Sequence, residues 1–235
     1  MTPSIGRTEE LRRRFDTNLE RCTGILESIP LFDQEPRGNV QEDMLRAVVV
    51  FLHASLEDLL RSILSFHYQH HPIQLPEVRR KKDESQAADD SSTILSSSRK
   101  QKRRDVWDKV VAFDHSKSVS DFIDAEIREY MRFVSYSSAS EISTFFADTG
   151  LRVENLRRFT EHFVSFFGRR HDIVHYADMD RSSMSPMPAT IDLETVVLWR
   201  SVVEEFGQLV IGAFDLSSFS SAAEAAESSP DNPTR

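Results

Sequence analysis

The chain has 235 residues, of which 39% are hydrophobic and 29% charged, and this balance indicates a globular protein large enough to bury a core. Its net charge of −9 opposes non-specific binding to nucleic acid, and its single cysteine, Cys22, cannot form an intramolecular disulfide. No apolar run approaches the ~20 residues that span a bilayer, and the charged N-terminal segment does not resemble a signal peptide, so we expect a cytoplasmic protein without a membrane partner.

Two long amphipathic helices are predicted in the first third of the chain. Apolar residues recur at steps of three and four between residues 11 and 29, which is typical of a helix that buries one stripe. A second such pattern runs from residue 40 to residue 68, and prolines follow both segments. The inner face predicted for the second helix includes Val48, Phe51, Leu52, Leu59 and Ile63.

A charged, Ser-rich segment over residues 77–104 interrupts the helical pattern. It has almost no apolar content, so it cannot offset its own ordering entropy, and we predict a flexible insertion. Nine Lys and Arg residues against four acids between Arg79 and Arg104 give a local surplus of five positive charges. The segment is either a basic arm that attracts RNA or a solvated loop, and the second reading is the commoner one for such runs.

Shorter helices are predicted after this insertion, beginning with one over residues 105–113. Ser118 and Ser138 each stand three positions before an acidic residue and just ahead of apolar residues, which is the pattern of a helix N-cap. Gly150 is expected to end the helix that follows Ser138.

The last two predicted helices run from Val153 to about Ala177 and from Asp192 to Phe214, the second capped by Asp192. No segment alternates as a β-strand does, and only 7 glycines are present. The sequence therefore predicts an all-α fold, a single helical bundle over residues 1–216, followed by a disordered Ser/Ala/Pro-rich tail over residues 217–235.

The segment from Arg169 to Asp178 carries most of the chemistry in the sequence. An imidazole can transfer protons near neutral pH, and a planar guanidinium binds phosphate oxygens bidentately, so Arg170 and His175 could together cleave a phosphodiester without a metal. Five positions on a regular helix place side chains about 140° apart, so we expect these two not to share a face of one chain.

In the order of its parts the chain resembles the HEPN superfamily, and within it the RNA-cleaving toxin and defence ribonucleases of the RiboL-PSP-HEPN kind. The family's motif is an Arg, a polar residue, three further positions and a His, which matches Arg170-His171-x3-His175. The long helix that contains residues 48–61 is also similar to an early helix of the family. The resemblance extends roughly from Gln41 to Phe214.

The resemblance implies a homodimer in which two copies of the motif face each other with RNA between them. It further implies a metal-independent, cofactor-free endoribonuclease that uses the RNA 2′-hydroxyl as nucleophile, with His175 as general acid or base and Arg170 stabilising charge on the phosphate. Such an enzyme raises the hypothesis of a partner antitoxin or a defence system that restrains it. Supporting roles are expected for four neighbours: Arg169, His171, Asp172 and Tyr176.

Two other readings remain open. His171 and His175 have the i, i+4 spacing of helical zinc ligands, although no third ligand is evident nearby; loss of activity on chelation would favour this metal site. Alternatively, the chain is a non-catalytic dimerisation or nucleotide-binding module, in which the polar cluster stabilises a helix end. That reading predicts that changing Arg170 or His175 alters assembly or stability while no RNA is cut.

Overall fold

The structure, a computed structural model, describes residues 3–32, 40–70, 118–132, 134–179 and 187–227. All regular elements in these ranges are helical, which confirms the predicted all-α fold. The α-helices are α1 (Pro3–Ser28), α2 (Val40–His70), α3 (Val119–Met131), α4 (Ala139–Thr149), α5 (Arg157–Tyr176) and α6 (Leu193–Glu227), and a short 3-10 helix (Ile29–Phe32) follows α1. None of the described helices is long and apolar enough to cross a lipid bilayer.

The chain divides into two compact units. The first consists of residues 1–63 and 135–235, and the second of residues 64–134. Helix α2 contributes residues to both. The candidate site lies in the first unit, which also contains α1, α4, α5 and α6.

In the first unit, α1 packs along α6 through a single apolar stripe. The stripe repeats every three or four residues, as the sequence predicts, and burying it removes apolar surface from water. At Gly207 of α6 a Cβ atom would overlap the ring of Phe15, so the absence of a side chain there allows the close approach. The buried stripe of α1 comprises Leu11, Phe15, Leu19, Cys22 and Leu26.

Aromatic rings fill the space between α5 and α6. Phe163 stacks on Phe167 at a centroid distance of 5.3 Å and meets Phe206 edge-on at 4.9 Å. Trp199 is buried against Phe166, with the ring centroids 5.8 Å apart. Each large ring buries on the order of 150–250 Å², so this cluster fixes the buried face of α5 and thereby the direction of its other side chains.

The prediction for the inner face of α2 is wrong at one position. Val48, Leu52 and Leu59 are buried, whereas Phe51 is 45% exposed, and the guanidinium of Arg21 lies 5.7 Å from its ring centroid. Phe51 lies on the same side of α2 as Ala54 and Asp58, three and seven positions further on, and both of those residues are exposed. A cation over an exposed ring is a favourable contact, which accounts for a Phe at this surface position.

The second unit contains the C-terminal turns of α2 together with α3. Leu64, Tyr68, Ile127 and Tyr130 are buried, and the two tyrosine rings meet edge-on at 5.6 Å. This unit contains none of the predicted site residues.

The predicted helix caps are confirmed where the structure describes them. Ser118 and Asp121 form a reciprocal capping box at α3, and the Ser138 hydroxyl accepts the backbone N–H of Glu141 at α4. Gly150 ends α4 with φ 67°, a left-handed conformation that glycine adopts without steric cost. These ends form as predicted because a cap requires only residues close in sequence.

Some predicted boundaries differ from the structure or fall outside it. Helix α5 begins at Arg157 rather than Val153, because residues 154–156 form a turn in which Asn155 has a positive φ of 58°, a value that interrupts an α-helix. Helix α6 continues to Glu227, well past Phe214, since its Ala- and Glu-containing end favours helix. The predicted insertion 77–104, the predicted helix 105–113 and the tail residues 228–235 lie outside the described residues.

Candidate functional site

All six predicted site residues lie on the last two turns of α5, and they point in different directions. Arg170 lies on the same side of α5 as buried Phe163 and Phe166, and it is itself only partly exposed. His175 lies about 140° around the helix from Arg170, on the solvent face. Among the described residues, the side chains of Arg170 and His175 form no hydrogen bond with each other.

The C-terminal end of α5 has an unusual backbone. Ala177 and Asp178 both have positive φ, 50° and 58°, a conformation that residues other than glycine rarely adopt. The N–H groups of both residues donate to the carbonyl of Asp172. The helix therefore ends at Tyr176, the chain turns at Ala177, and the side chain of Asp178 is buried.

Asp178 accepts hydrogen bonds from two arginines in the interior, and we name Arg46, Arg169 and Asp178 the Asp178 cluster. Its Oδ2 atom lies 2.7 Å from Arg46 Nε and 2.7 Å from Arg169 Nη2, and its side chain is only 1% exposed. Both guanidinium groups also donate to the Ala189 carbonyl. Arg169 thus acts as a structural link from α5 to α2 and to the segment before α6.

The buried positive charge of Arg46 is compensated by the carboxylates that surround it. Burial opposes the charged form of Arg46, but its hydrogen bonds with Asp178 and Glu42 outweigh that effect and raise its pKa. Arg169 is predicted from the sequence to have a supporting role, whereas no role is predicted for Arg46, which is 132 positions from Asp178. No local pattern connects residues so far apart.

Arg170 has a different environment from its neighbour Arg169. Its Nε atom is buried and has no hydrogen-bond partner among the described residues, and the residue takes part in none of the ion pairs found there. Its charge acts on His53, a residue of α2 that is 2% exposed. Arg170 therefore combines a positive charge with hydrogen-bonding capacity that the described part of the chain leaves unused.

His53, together with Glu57, Arg61 and Arg170, forms what we name the His53 cluster. The imidazole packs edge-on against Phe167 at 5.7 Å, its Nδ1 lies 3.7 Å from Glu57 Oε2, and Glu57 pairs with Arg61 at 2.8 Å. Burial, assisted by the charges of Arg170 and Arg61, lowers the pKa of His53 to about 4, although a hydrogen bond to the Tyr136 backbone opposes the shift.

No role is predicted for His53 from the sequence. A signal was present, because a histidine on the inner face of a helix requires polar neighbours, but those neighbours come from distant segments. Ser137, whose Oγ lies 3.5 Å from His53 Nε2, precedes α4, and Arg170 belongs to α5. Asp58, beside Glu57, pairs instead with Arg14 at 2.9 Å on the surface.

The two histidines of the motif lie together on the exposed face of α5. The rings of His171 and His175 have centroids 4.5 Å apart with 47° between their planes, and we name them the imidazole pair. The Tyr176 ring meets His171 edge-on at 5.6 Å. Asp172 is also exposed, and its backbone carbonyl accepts the N–H groups that end the helix.

Comparison with protein families identifies the chain. Residues 16–215, which include every residue of the site, match the model of RiboL-PSP-HEPN. The chain belongs to the RiboL-PSP-HEPN family. No curated protein and no solved structure matches this RiboL-PSP-HEPN chain. Membership of the family indicates an RNase-like or nucleotide-binding role, and it confirms the resemblance found from the motif.

Proposed function

We propose that this RiboL-PSP-HEPN protein is a metal-independent endoribonuclease whose site combines Arg170 and His175 from two copies of the chain. The observation that carries the proposal is the pair of faces on α5, with Arg170 on one side and His175 about 140° away on the solvent side. A symmetric dimer brings both groups to one phosphate without distorting the helix.

The chemistry assigned to these groups is transesterification of RNA. The 2′-hydroxyl attacks the adjacent phosphorus while the His175 imidazole of one copy accepts its proton. The bond from phosphorus to the 5′-oxygen breaks, and a water molecule from solvent supplies a proton to that leaving oxygen, while Arg170 of the other copy stabilises the charge on the phosphoryl oxygens. The products are a 2′,3′-cyclic phosphate and a 5′-hydroxyl, and no metal takes part.

The environment of Arg170 supports its assignment to the phosphate. Charge that develops on the phosphoryl oxygens is best stabilised by a fixed donor that needs no reorganisation. Packing of α5 through Phe163, Phe166 and Phe167 fixes the helix backbone, and the Nε of Arg170 has no acceptor among the described residues. The guanidinium charge is thus held on a packed helix, and a charge in a fixed position stabilises a phosphate with little reorganisation.

Exposure of His175 supports its role in proton transfer, because a general acid or base must reach the substrate. His175 and His171 are both exposed, and the Asp178 cluster anchors the helix end beside them. Asp172 and Tyr176 border the same exposed end of α5, so they are assigned to contacts with RNA rather than to proton transfer.

Mixing two inactive variants tests the shared site. Arg170→Ala and His175→Ala homodimers would each lack one group at every site, whereas a mixed dimer would keep one complete site if the groups come from different copies. After subunit exchange, about half the dimers are mixed and each has one of two sites, so about a quarter of wild-type activity is expected. If the mixture stays as inactive as its components, the shared site is refuted.

RNA cleavage itself is measured with structured and unstructured RNAs in EDTA. Wild type should cut, His175→Ala should not, and His162→Ala, an α5 histidine outside the motif, should cut as wild type does. Equal cleavage by wild type and His175→Ala would identify a contaminating nuclease. Cleavage by neither would favour the second candidate function below.

The second candidate is a non-catalytic dimerisation or nucleotide-binding module. It is favoured by the partly buried position of Arg170, whose charge acts on buried His53, while His175 is exposed. In that case Arg170→Ala would change the dimer dissociation constant or nucleotide affinity, and no RNA product would form under any condition.

An intracellular RNA-cleaving enzyme would damage its own cell unless restrained. We therefore extend the proposal to a toxin or defence role with a partner protein that neutralises it. Induced expression should arrest growth with wild type and not with His175→Ala. Normal growth with an RNA-cleaving wild-type protein would argue against a toxin role.

A further inference from the structure

The imidazole pair has the geometry of a chelating site. His171 and His175 are one helical turn apart, and both side chains are on the exposed face of α5. Their ring centroids are 4.5 Å apart, and neither imidazole has a hydrogen-bond partner among the described residues. Both rings therefore have a nitrogen lone pair available to a ligand from solvent.

We propose that His171 and His175 together bind a late divalent transition metal such as Zn²⁺, and that the bound metal inhibits RNA cleavage. Zinc–imidazole bonds of about 2.0–2.1 Å place the two ligating nitrogens roughly 3 Å apart. Rings whose centroids are 4.5 Å apart reach that separation by small side-chain rotations. Neutral imidazole prefers Zn²⁺, Cu²⁺ and Ni²⁺ over Mg²⁺, which prefers oxygen ligands.

The ligand set indicates a reversible site rather than a structural one. Among the described ranges, no group of three or more His, Cys, Asp or Glu side chains is arranged to hold a metal. Two protein ligands leave the remaining coordination positions to water, unlike the closed four-ligand sites of structural zinc. Cys22, the only cysteine, is buried and cannot compete for the metal.

The inhibition follows from the chemistry of His175 and rests on the proposed function. A ring nitrogen that donates its lone pair to a metal cannot accept the 2′-hydroxyl proton. The metal would thus occupy the proton-transfer group while leaving the fold unchanged. Chelation should then raise or preserve the activity, the opposite of what a catalytic metal predicts.

Binding is tested separately from activity, with the full chain and ZnCl2 in isothermal titration calorimetry. Losing one of two chelating ligands should weaken the site on the order of a hundredfold, so His171→Ala and His175→Ala should both lose it. His162→Ala should retain the site, and MgCl2 should give no binding to wild type. Unchanged Zn²⁺ affinity in His171→Ala would overturn the chelate, whether or not the protein cuts RNA.

Inhibition is measured as the ratio of cleavage rates with and without ZnCl2 for each variant. Wild type and His162→Ala should be inhibited at the Zn²⁺ concentration that saturates the calorimetric site, and EDTA should restore both rates. In His171→Ala the ratio should stay near one at that concentration. Inhibition of His171→Ala equal to that of wild type would overturn the proposed cause, and circular dichroism of each variant excludes unfolding as the explanation.

Discussion

Protonation of buried His53 should make the stability of the protein depend on pH. The imidazole is 2% exposed, its pKa is lowered to about 4, and the positive charges of Arg170 and Arg61 oppose its protonation. In the unfolded chain the same residue has a pKa near 6.5. Below that pH the unfolded state therefore takes up a proton that the folded state does not, so the free energy of unfolding decreases as pH falls.

The size of this effect follows from the two pKa values. Each pKa unit corresponds to about 1.4 kcal/mol, so the shift from 6.5 to about 4 is worth about 3 kcal/mol in total. The loss begins near the unfolded value and is complete below the folded one. Integration over the range from about pH 7 to about pH 5 gives a loss of about 2 kcal/mol from this residue alone.

Urea denaturation at several pH values measures the effect, with fluorescence of buried Trp199 and circular dichroism as probes. His53→Gln, which keeps a polar side chain but cannot become charged, should remove about 2 kcal/mol of the pH dependence between pH 7 and pH 5. His171→Gln, at an exposed position of the same unit, should retain it. If His53→Gln and wild type lose stability equally on acidification, the assignment of a buried neutral His53 is wrong.

Three further substitutions test the packing around the site, each by urea denaturation. Asp178→Ala should lower the free energy of unfolding by about 3 kcal/mol, because buried Arg46 and partly buried Arg169 both lose their acceptor. Asp58→Ala in an exposed pair should cost less than about 1 kcal/mol, and equal losses would contradict the burial of Asp178. Ala177→Gly should raise the free energy of unfolding by about 1 kcal/mol by relieving the φ of 50°, and a decrease would show that this backbone is not strained. Gly207→Ala should lower the free energy of unfolding by about 1–3 kcal/mol, because a Cβ at this position overlaps the Phe15 ring. Gly168→Ala, with open space at its Cβ, should raise it by about 1 kcal/mol. A change of the same sign in both variants would refute the α1–α6 contact.

The sequence was sufficient for most of the helices and for their starts and stops. The capping residues Ser118, Ser138 and Gly150 act through neighbours three or four positions away, and the stripe of α1 follows the period of the helix itself. Such features depend on local backbone geometry, so they can be predicted without knowledge of the packing. The end of α6 was the exception, since its Ser/Ala-rich sequence carries no stop signal before Pro230.

For the site, the sequence identified one helix end and the residue types on it, including the opposite directions of Arg170 and His175. Only the tertiary structure placed His53 of α2 beside Arg170 and paired Arg46 with Asp178 across 132 positions. Those neighbours are brought together by packing of the apolar faces of α2, α5 and α6, and the charges inside that packing must then find partners among whatever side chains lie within reach. A periodic pattern determines which face of a helix is buried, but it does not determine which distant residue will lie opposite a given charge.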